Sequence, residues 1–178
     1  MRLAPFFRSL LGFGDRLLRF QKPVIAAVNG LAIGIGATML LHCDLVYAAQ
    51  EARFCFPFVD LGLVPELASS LLLPRLAGYH RAAELVLLGG FFTADEAKEI
   101  GLVNRVLPPG ALLDHAMGAA KALAGKPPEA LAQTRALLRG DLAPLLARKQ
   151  QESEMFEQRR RSPEAQAIFA AFMARSGR

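Results

Sequence analysis

Between Lys22 and Asp44 the chain reads KPVIAAVNGLAIGIGATMLLHCD, and few folds accommodate that pattern. A continuous apolar run, Val24 to Val28, breaks at Asn29-Gly30; without alternation it predicts a short strand buried on both faces. Gly34-Ile35-Gly36 then feeds straight into a second apolar segment, Ala37 to Leu41, which reads as a buried helix from about Gly36 to near Asp44. Leu45 to Ala49 and Arg53 to Phe56 are strand-like again, the latter stopped by Pro57. Strand–helix–strand order predicts parallel pairing through a right-handed crossover. Glycines and small residues at the start of the helix leave backbone N–H groups open to a ligand. A site of that kind holds an anion, or an oxygen that becomes one during a reaction.

The turn is not a dinucleotide fingerprint. Met39 stands where G-x-G-x-x-G needs its third glycine, and no acidic residue follows at the usual distance after a second strand. On spacing alone, glycines that pack a helix against a sheet explain the turn equally well.

Helices dominate the rest of the chain. An amphipathic helix is expected over residues 5–20, broken or frayed near Gly12 and Gly14. Others are expected at Leu67 to Leu73, His80 to Leu88, Ala111 to Ala124, Pro128 to Arg139 and Ala143 to Arg160. Thr93-Ala-Asp-Glu96 is a capping box opening a helix closed by Gly101. Leu102 to Leu107 is a short extended stretch, and Ser162-Pro163-Glu164 starts a final helix reaching Arg175. The fold class is therefore α/β, a few buried strands packed by many helices, with residues 1–110 forming the core and 111–178 a helical region.

At 178 residues, 53% hydrophobic and 21% charged, the chain is long enough for one ordered domain with a sizeable core. Its longest apolar runs are too short to span a bilayer, so no membrane is expected as a partner. The cationic N-terminus lacks a continuous apolar core and a small-residue cleavage site, which favours a surface helix over a signal peptide. Cys43 and Cys55 lack metal-ligand spacing and read as buried small hydrophobes in a reducing compartment. The terminal Ser176-Gly177-Arg178 is not a peroxisomal tripeptide, and the expected location is cytoplasmic. Arg159, Arg160 and Arg161 lack the aromatic platform of a nucleic-acid site, so they read as a solvated helix face, with a phosphate-bearing small ligand as second reading.

In FCFPFVDLGLVPELASSLLLPR, Phe54 to Arg75, only Asp60 and Glu66 are acidic. Asp60 reads as the cap of a turn before Gly62. Glu66 after Pro65 fits an N-terminal dipole partner of a short helix, or a general base whose pKa burial would raise. Ser69 and Ser70 lack an acid and histidine constellation, and the scattered His42, His80 and His115 read as structural. Neither a triad nor a zinc site is supported, and no metal is expected.

KPVIAAVNGLAIGIGATMLLHCDLVYAA followed by FPFVDLGLVPE resembles the crotonase superfamily, the enoyl-CoA hydratase/isomerase family. GGFFTADEAKEIGLVNRVLP is similar to its "sGRxFtAeEAlelGLVnrVvp" element, and SPEAQAIFAAFMARSG resembles its terminal helix. The resemblance implies a ββα spiral core of the ClpP/crotonase type, here truncated, and a C-terminal helical trimerisation region. It implies acyl-CoA thioester substrates and a homotrimer or dimer of trimers, with coenzyme A entering as part of the substrate and no other cofactor. Two backbone N–H groups would polarise the thioester oxygen and stabilise an enolate. The second of these falls at Ile35, and Ala32, Ile33, Gly34, Pro57 and Leu61 fall at substrate-binding positions.

The departures from the pattern discriminate between activities. Hydratases of the family carry two glutamates, at positions that here are Thr38 and Phe58, so hydration is disfavoured. The Pro65-Glu66 pair, with Ser69-Ser70 behind it, is similar to Δ3,Δ2-enoyl-CoA isomerases of the peroxisomal type. There one glutamate moves a proton from C2 to C4, and Glu66 is the catalytic residue implied. Phe54, Phe56, Phe58 and Leu63 would supply its dry surroundings. Only about twenty residues precede Lys22, where the family pattern has strands and an F-S-A-G-x-D-like turn bearing the first oxyanion donor. Gly12-Phe13-Gly14-Asp15 lies too close to Lys22 to be that turn and reads as part of the first helix. The expectation is a truncated or degenerate member: an isomerase-like enzyme, or alternatively a binding or assembly protein without turnover.

Overall fold

The computed structural model describes residues 4–176; the first three residues of the cationic start and the last two of the terminal tripeptide lie outside the described residues. The chain runs through α1 (Ala4–Arg19), β1 (Ile25–Val28), β2 (Leu31–Ile33) and α2 (Ile35–Thr38), followed by a 3-10 turn at Met39–His42. Next come β3 (Leu45–Ala49), β4 (Arg53–Cys55), α3 (Ser69–Ala77), α4 (Tyr79–Leu87), β5 (Phe92–Thr93), α5 (Ala94–Glu99) and β6 (Arg105–Leu107). Four helices complete it: α6 (Leu112–Ala124), α7 (Pro128–Arg139), α8 (Ala143–Arg160) and α9 (Pro163–Ser176).

The strands form two sheets. One has the order β1-β3-β6 and is parallel throughout; in the other, β4 lies between β2, parallel to it, and β5, antiparallel. Alternation along β3 shows why the first sheet reads as apolar on both faces. Val46 and Ala48 point into a core shared with Ala32, Phe54 and Phe92 of the second sheet. Tyr47 and Ala49 point the other way, onto Leu112 and Ala116 of α6. Phe92 stacks on Phe54 at 5.5 Å and lies 5.6 Å from Phe56, filling the space between the strands.

Asp44 fixes the entry to the first sheet. Its carboxylate accepts from the Val24 N–H at 2.7 Å and from Arg135 Nε of α7 at 2.8 Å, while Arg135 Nη1 donates to the Phe20 carbonyl at 2.7 Å. One buried cation thus ties α7 to the loop ahead of β1.

Several sequence expectations need correction. The first helix is continuous through Gly12 and Gly14. A Cβ on Gly14 would lie 2.4 Å from Leu67 Cδ2, so this glycine serves close packing rather than a break. The helix after the glycine turn is α-helical for only four residues before tightening into the 3-10 turn. β2 and β5 were not expected. Leu31 and Ile33 of β2 are exposed, so the strand shows no apolar-in contrast, and β5 has only two residues. Cys55 is buried, but Cys43 is only half-buried. The turn before Gly62 closes on main-chain bonds, Leu61 N–H to the Pro57 carbonyl and Leu63 N–H to the Phe58 carbonyl. Asp60 is exposed and lies instead against Gly89, which has no Cβ to displace it. The capping box has the expected form: Thr93 Oγ1 accepts from the Glu96 N–H at 3.2 Å, and Glu96 Oε2 accepts from the Thr93 N–H at 2.8 Å.

Candidate active site

The site is built where β2 ends. Gly34 continues the pairing with β4 by donating its N–H to the Cys55 carbonyl at 3.0 Å. It then turns with φ +56° and ψ −118°, a conformation open to glycine and costly for residues with a Cβ. Its carbonyl takes the N–H groups of both Ala37 and Thr38 at 2.9 Å. The N–H groups of Ile35 and Gly36 therefore precede the first bond of the helix, where donors have no intrahelical acceptor. Space beside Gly34 and Gly36 is open, since a Cβ at either would meet nothing within 4 Å.

Thr38 joins this turn to the second half of the site. Its hydroxyl is fully buried, lies 3.5 Å from the Ile35 carbonyl oxygen and donates to Glu66 Oε1. Burial pushes the Glu66 carboxyl up to about 7; the Thr38 hydrogen bond opposes that rise, the Glu152 charge adds to it, and Lys149 opposes it. Near neutral pH Glu66 thus exists both as base and as acid, as proton shuttling requires.

The chain directly after Glu66 is unusual. Leu67 and Ala68 both have φ +56°, although neither is glycine. Left-handed backbone costs an L-residue about 1–2 kcal/mol, so other contacts must hold the turn. His42 Nε2 bonds the Leu67 carbonyl at 2.7 Å; burial lowers the pKa of His42, which leaves a neutral ring donating its Nε2 proton. From α8, the buried Glu152 accepts from the Ala68 N–H at 2.5 Å, the Ser70 N–H at 3.0 Å and the Ser70 hydroxyl at 2.6 Å. It caps α3 from 84 residues away.

Ile35 and Glu66, the two residues singled out for chemistry, are brought together through Thr38. Gly34 and the exposed Ile33 lie at the end of β2 opposite Cys55, two residues before Pro57. Ala32 faces the core, so only its backbone is available to a ligand. Pro57 and Leu61 are half-buried, Leu61 packing on the core's edge. Phe54, Phe56, Phe58 and Leu63 all sit in the core. His115 packs edge-on against Tyr47, and His80 against Tyr79. Arg159 pairs with Glu164, and Arg160 and Arg161 both pair with Glu157, so the basic cluster is matched by acids of its own segment. A cleft of about 150 Å³, lined by Pro65, Ser69, Leu73, Tyr79, Val86 and Leu87 among others, opens beside the Glu66 turn.

Sequence reasoning missed Glu152 and His42 as parts of the site. A signal for the first existed. The inward stripe of α8 runs Leu145, Lys149, Glu152, Phe156, so helical spacing puts a lysine and a glutamate where apolar residues belong. For His42 there was none beyond its apolar setting.

Residues 8–176 match the family model described as enoyl-CoA hydratase/isomerase. Over 127 residues the chain is 42% identical to 1,2-epoxyphenylacetyl-CoA isomerase of Escherichia coli K12, covering 71% of this chain and 47% of that protein. It is 39% identical to 2,3-dehydroadipyl-CoA hydratase of the same organism over 142 residues, covering 79% and 56%. The crystal structure of an enoyl-CoA hydratase/isomerase from Pseudoalteromonas atlantica T6c superposes with a TM-score of 0.90 at 40% identity, over 94% of this chain and 68% of that one. The chain spans about half the length of the curated relatives it matches.

Proposed function

The chain belongs to the enoyl-CoA hydratase/isomerase family, with the crotonase fold of its structural neighbours, and from that premise we propose that it is an enoyl-CoA isomerase with Glu66 as its sole acid–base group. The carboxylate of Glu66 takes a proton from C2 of a 3-enoyl-CoA. The electron pair moves into the thioester carbonyl, whose oxygen becomes an enolate held by the Ile35 N–H. As the carbonyl re-forms, the double bond moves to C2–C3 and C4 takes back the proton from Glu66. One carboxyl group suffices because it ends the cycle as it began.

The observation that carries this reading is a half-buried carboxyl with a pKa raised to about 7, joined by Thr38 to a helix start with open N–H groups. Against hydration stand Thr38 and Phe58 at the two positions where the resemblance expects acids; Phe58 is buried in the core. The cleft beside Pro65 and Ser69 gives the acyl chain an apolar wall. Conversion of 3-hexenoyl-CoA to 2-hexenoyl-CoA, followed in wild type and Glu66→Gln, tests the reading. Equal rates in both would sink it.

A second reading is a binding or assembly role without turnover. It is favoured by a single glycine-built oxyanion turn among the described residues, where the resemblance implies two donors. Tight acyl-CoA binding with no isomerisation by the wild-type protein would select it. The exposed Leu113, Leu137 and Leu138 of the C-terminal helices offer apolar surface for the homotrimer that the resemblance implies, which sedimentation velocity would detect.

A further inference from the structure

Glu152 lies on a helix that contributes nothing else to the reaction as written, yet it is 4% exposed and has three donors within hydrogen-bond distance. Two of those donors, Ala68 N–H and Ser70 N–H, belong to the segment that starts two residues after Glu66. The left-handed pair Leu67-Ala68 is what reverses the chain there, and two contacts from distant parts of the sequence hold it. His42 takes the Leu67 carbonyl and Glu152 takes the Ala68 N–H. Without the second, two N–H groups at the start of α3 lose their acceptor, and relaxation of Ala68 toward negative φ would rotate Glu66 away from Thr38. Resting on the reading of Glu66 as the base, we infer that Glu152 is the positioning residue of this site: from α8 it holds the turn that aims the Glu66 carboxyl at the substrate.

The charges around the pair support that role. Glu152 and Glu66 are neighbouring carboxyl groups, and the Glu152 charge raises the cost of ionising Glu66. Arg148, also on α8, donates to the Ser70 hydroxyl at 3.1 Å and pulls the Glu152 pKa down, although burial keeps it raised. Lys149 is engaged by Asp15 of α1 at 2.7 Å and favours the charged form of Glu66 only as its smallest influence. His42, on the 3-10 turn, is held neutral by burial. Thr38 alone donates to the Glu66 carboxyl among the contacts described, and Glu152 is the anion facing it.

Glu152→Gln keeps the shape, but its amide turns a donor toward N–H groups that need an acceptor. Turnover of 3-hexenoyl-CoA should fall by about 10- to 10²-fold with KM unchanged, the effect of a displaced reacting group. The acid limb of the kcat profile should move to higher pH, because a Glu66 turned from Thr38 loses a hydrogen bond that lowers its pKa more than the Glu152 charge raises it; a 13C titration of the Glu66 carboxyl should move the same way. A folded Glu152→Gln protein with wild-type turnover and an unmoved limb overturns the inference. Should that variant not fold, Glu152→Asp, one methylene shorter, draws the carboxylate back from the Ala68 N–H, and turnover unchanged there overturns it equally. Glu66→Gln separates the two claims. If it stays active, the isomerase reading fails and this inference with it; if it is dead while Glu152→Gln is fully active, only the inference fails.

Discussion

The two halves of the site make turns of opposite construction. Gly34 reaches positive φ because it has no Cβ, and its partners, Cys55, Ala37 and Thr38, lie in the adjoining strand or the next few residues. Leu67 and Ala68 reach positive φ despite their side chains, and the groups that hold them are 25 and 84 residues away. The first turn is stable by local chemistry. The second depends on tertiary contacts, and its strain is the kind that accumulates at functional sites. The difference predicts that the proposed oxyanion turn tolerates change elsewhere in the protein, whereas the proposed base turn answers to residues on a distant helix.

The largest effect that would test this contrast is loss of the base. Glu66→Gln should lower isomerisation by about 10²–10⁴-fold, the range expected for removing a general acid–base group. It should also stabilise the fold at higher pH. The folded-state pKa of about 7 lies above the ordinary value of 4.5, so the folded protein holds its proton more tightly and wild-type stability falls as pH rises from about 4.5 to about 7. The full loss is up to roughly 3 kcal/mol, and denaturant melts at pH 5 and pH 8 would show Glu66→Gln gaining on wild type across that window. A constant difference between the two proteins would mean the Glu66 carboxyl is not desolvated.

Gly34→Ala probes the other turn. The Cβ has room, so any cost comes from φ alone, about 1–3 kcal/mol. Relaxing the turn would misdirect the Ile35 N–H, and losing one oxyanion donor lowers kcat by about 10²–10³-fold. Unchanged kcat would remove Ile35 from the mechanism.

A smaller change is expected from Thr38→Val, which deletes the hydroxyl shared between the turns. That hydrogen bond lowers the Glu66 pKa, so its loss should move the acid limb of the rate profile upward, as in Glu152→Gln. Turnover at pH 7 should fall by about 10-fold or less, since a limb shift of one pH unit changes the ionised fraction by at most that factor. A limb that does not move upward in Thr38→Val would contradict the hydrogen bond described for Glu66.

Least of all should follow from Ala68→Gly. Relief of left-handed strain and the added freedom of glycine in the unfolded chain nearly cancel, leaving a stability change of about 1 kcal/mol or less by melting. The same substitution at Ala37, helical and fully buried in the short α2, should destabilise by about 1 kcal/mol or more. If Ala68→Gly proves as damaging as Ala37→Gly, the base turn is not under strain.

Much of this was legible in the residues. The glycine turn, the buried strand β3 and the capping box at Thr93 all rest on neighbours within a few positions, where propensity and spacing act directly, whereas β1, expected to be buried on both faces, is half-buried with Ala27 exposed. Glu66 stood out as one of two acids in an apolar stretch, and the resemblance of Pro65-Glu66 to an isomerase pattern gave it a role. Less was legible where partners are remote. β2 and β5 exist because β4 lies between them, and neither has a pattern of its own. Gly14 looked like a helix breaker until Leu67 was seen to occupy the space its Cβ would need.

Local chemistry in the sequence determined that a helix would begin near Gly36 with open N–H groups at its start, and the family resemblance set Thr38 and Phe58 where a hydratase carries acids. Only the tertiary structure decided the surroundings of Glu66. A carboxyl group acquires a raised pKa from burial, and an aim from the backbone that carries it. The aim depends here on side chains, Thr38, His42 and Glu152, that sequence order keeps apart and packing brings within hydrogen-bond reach.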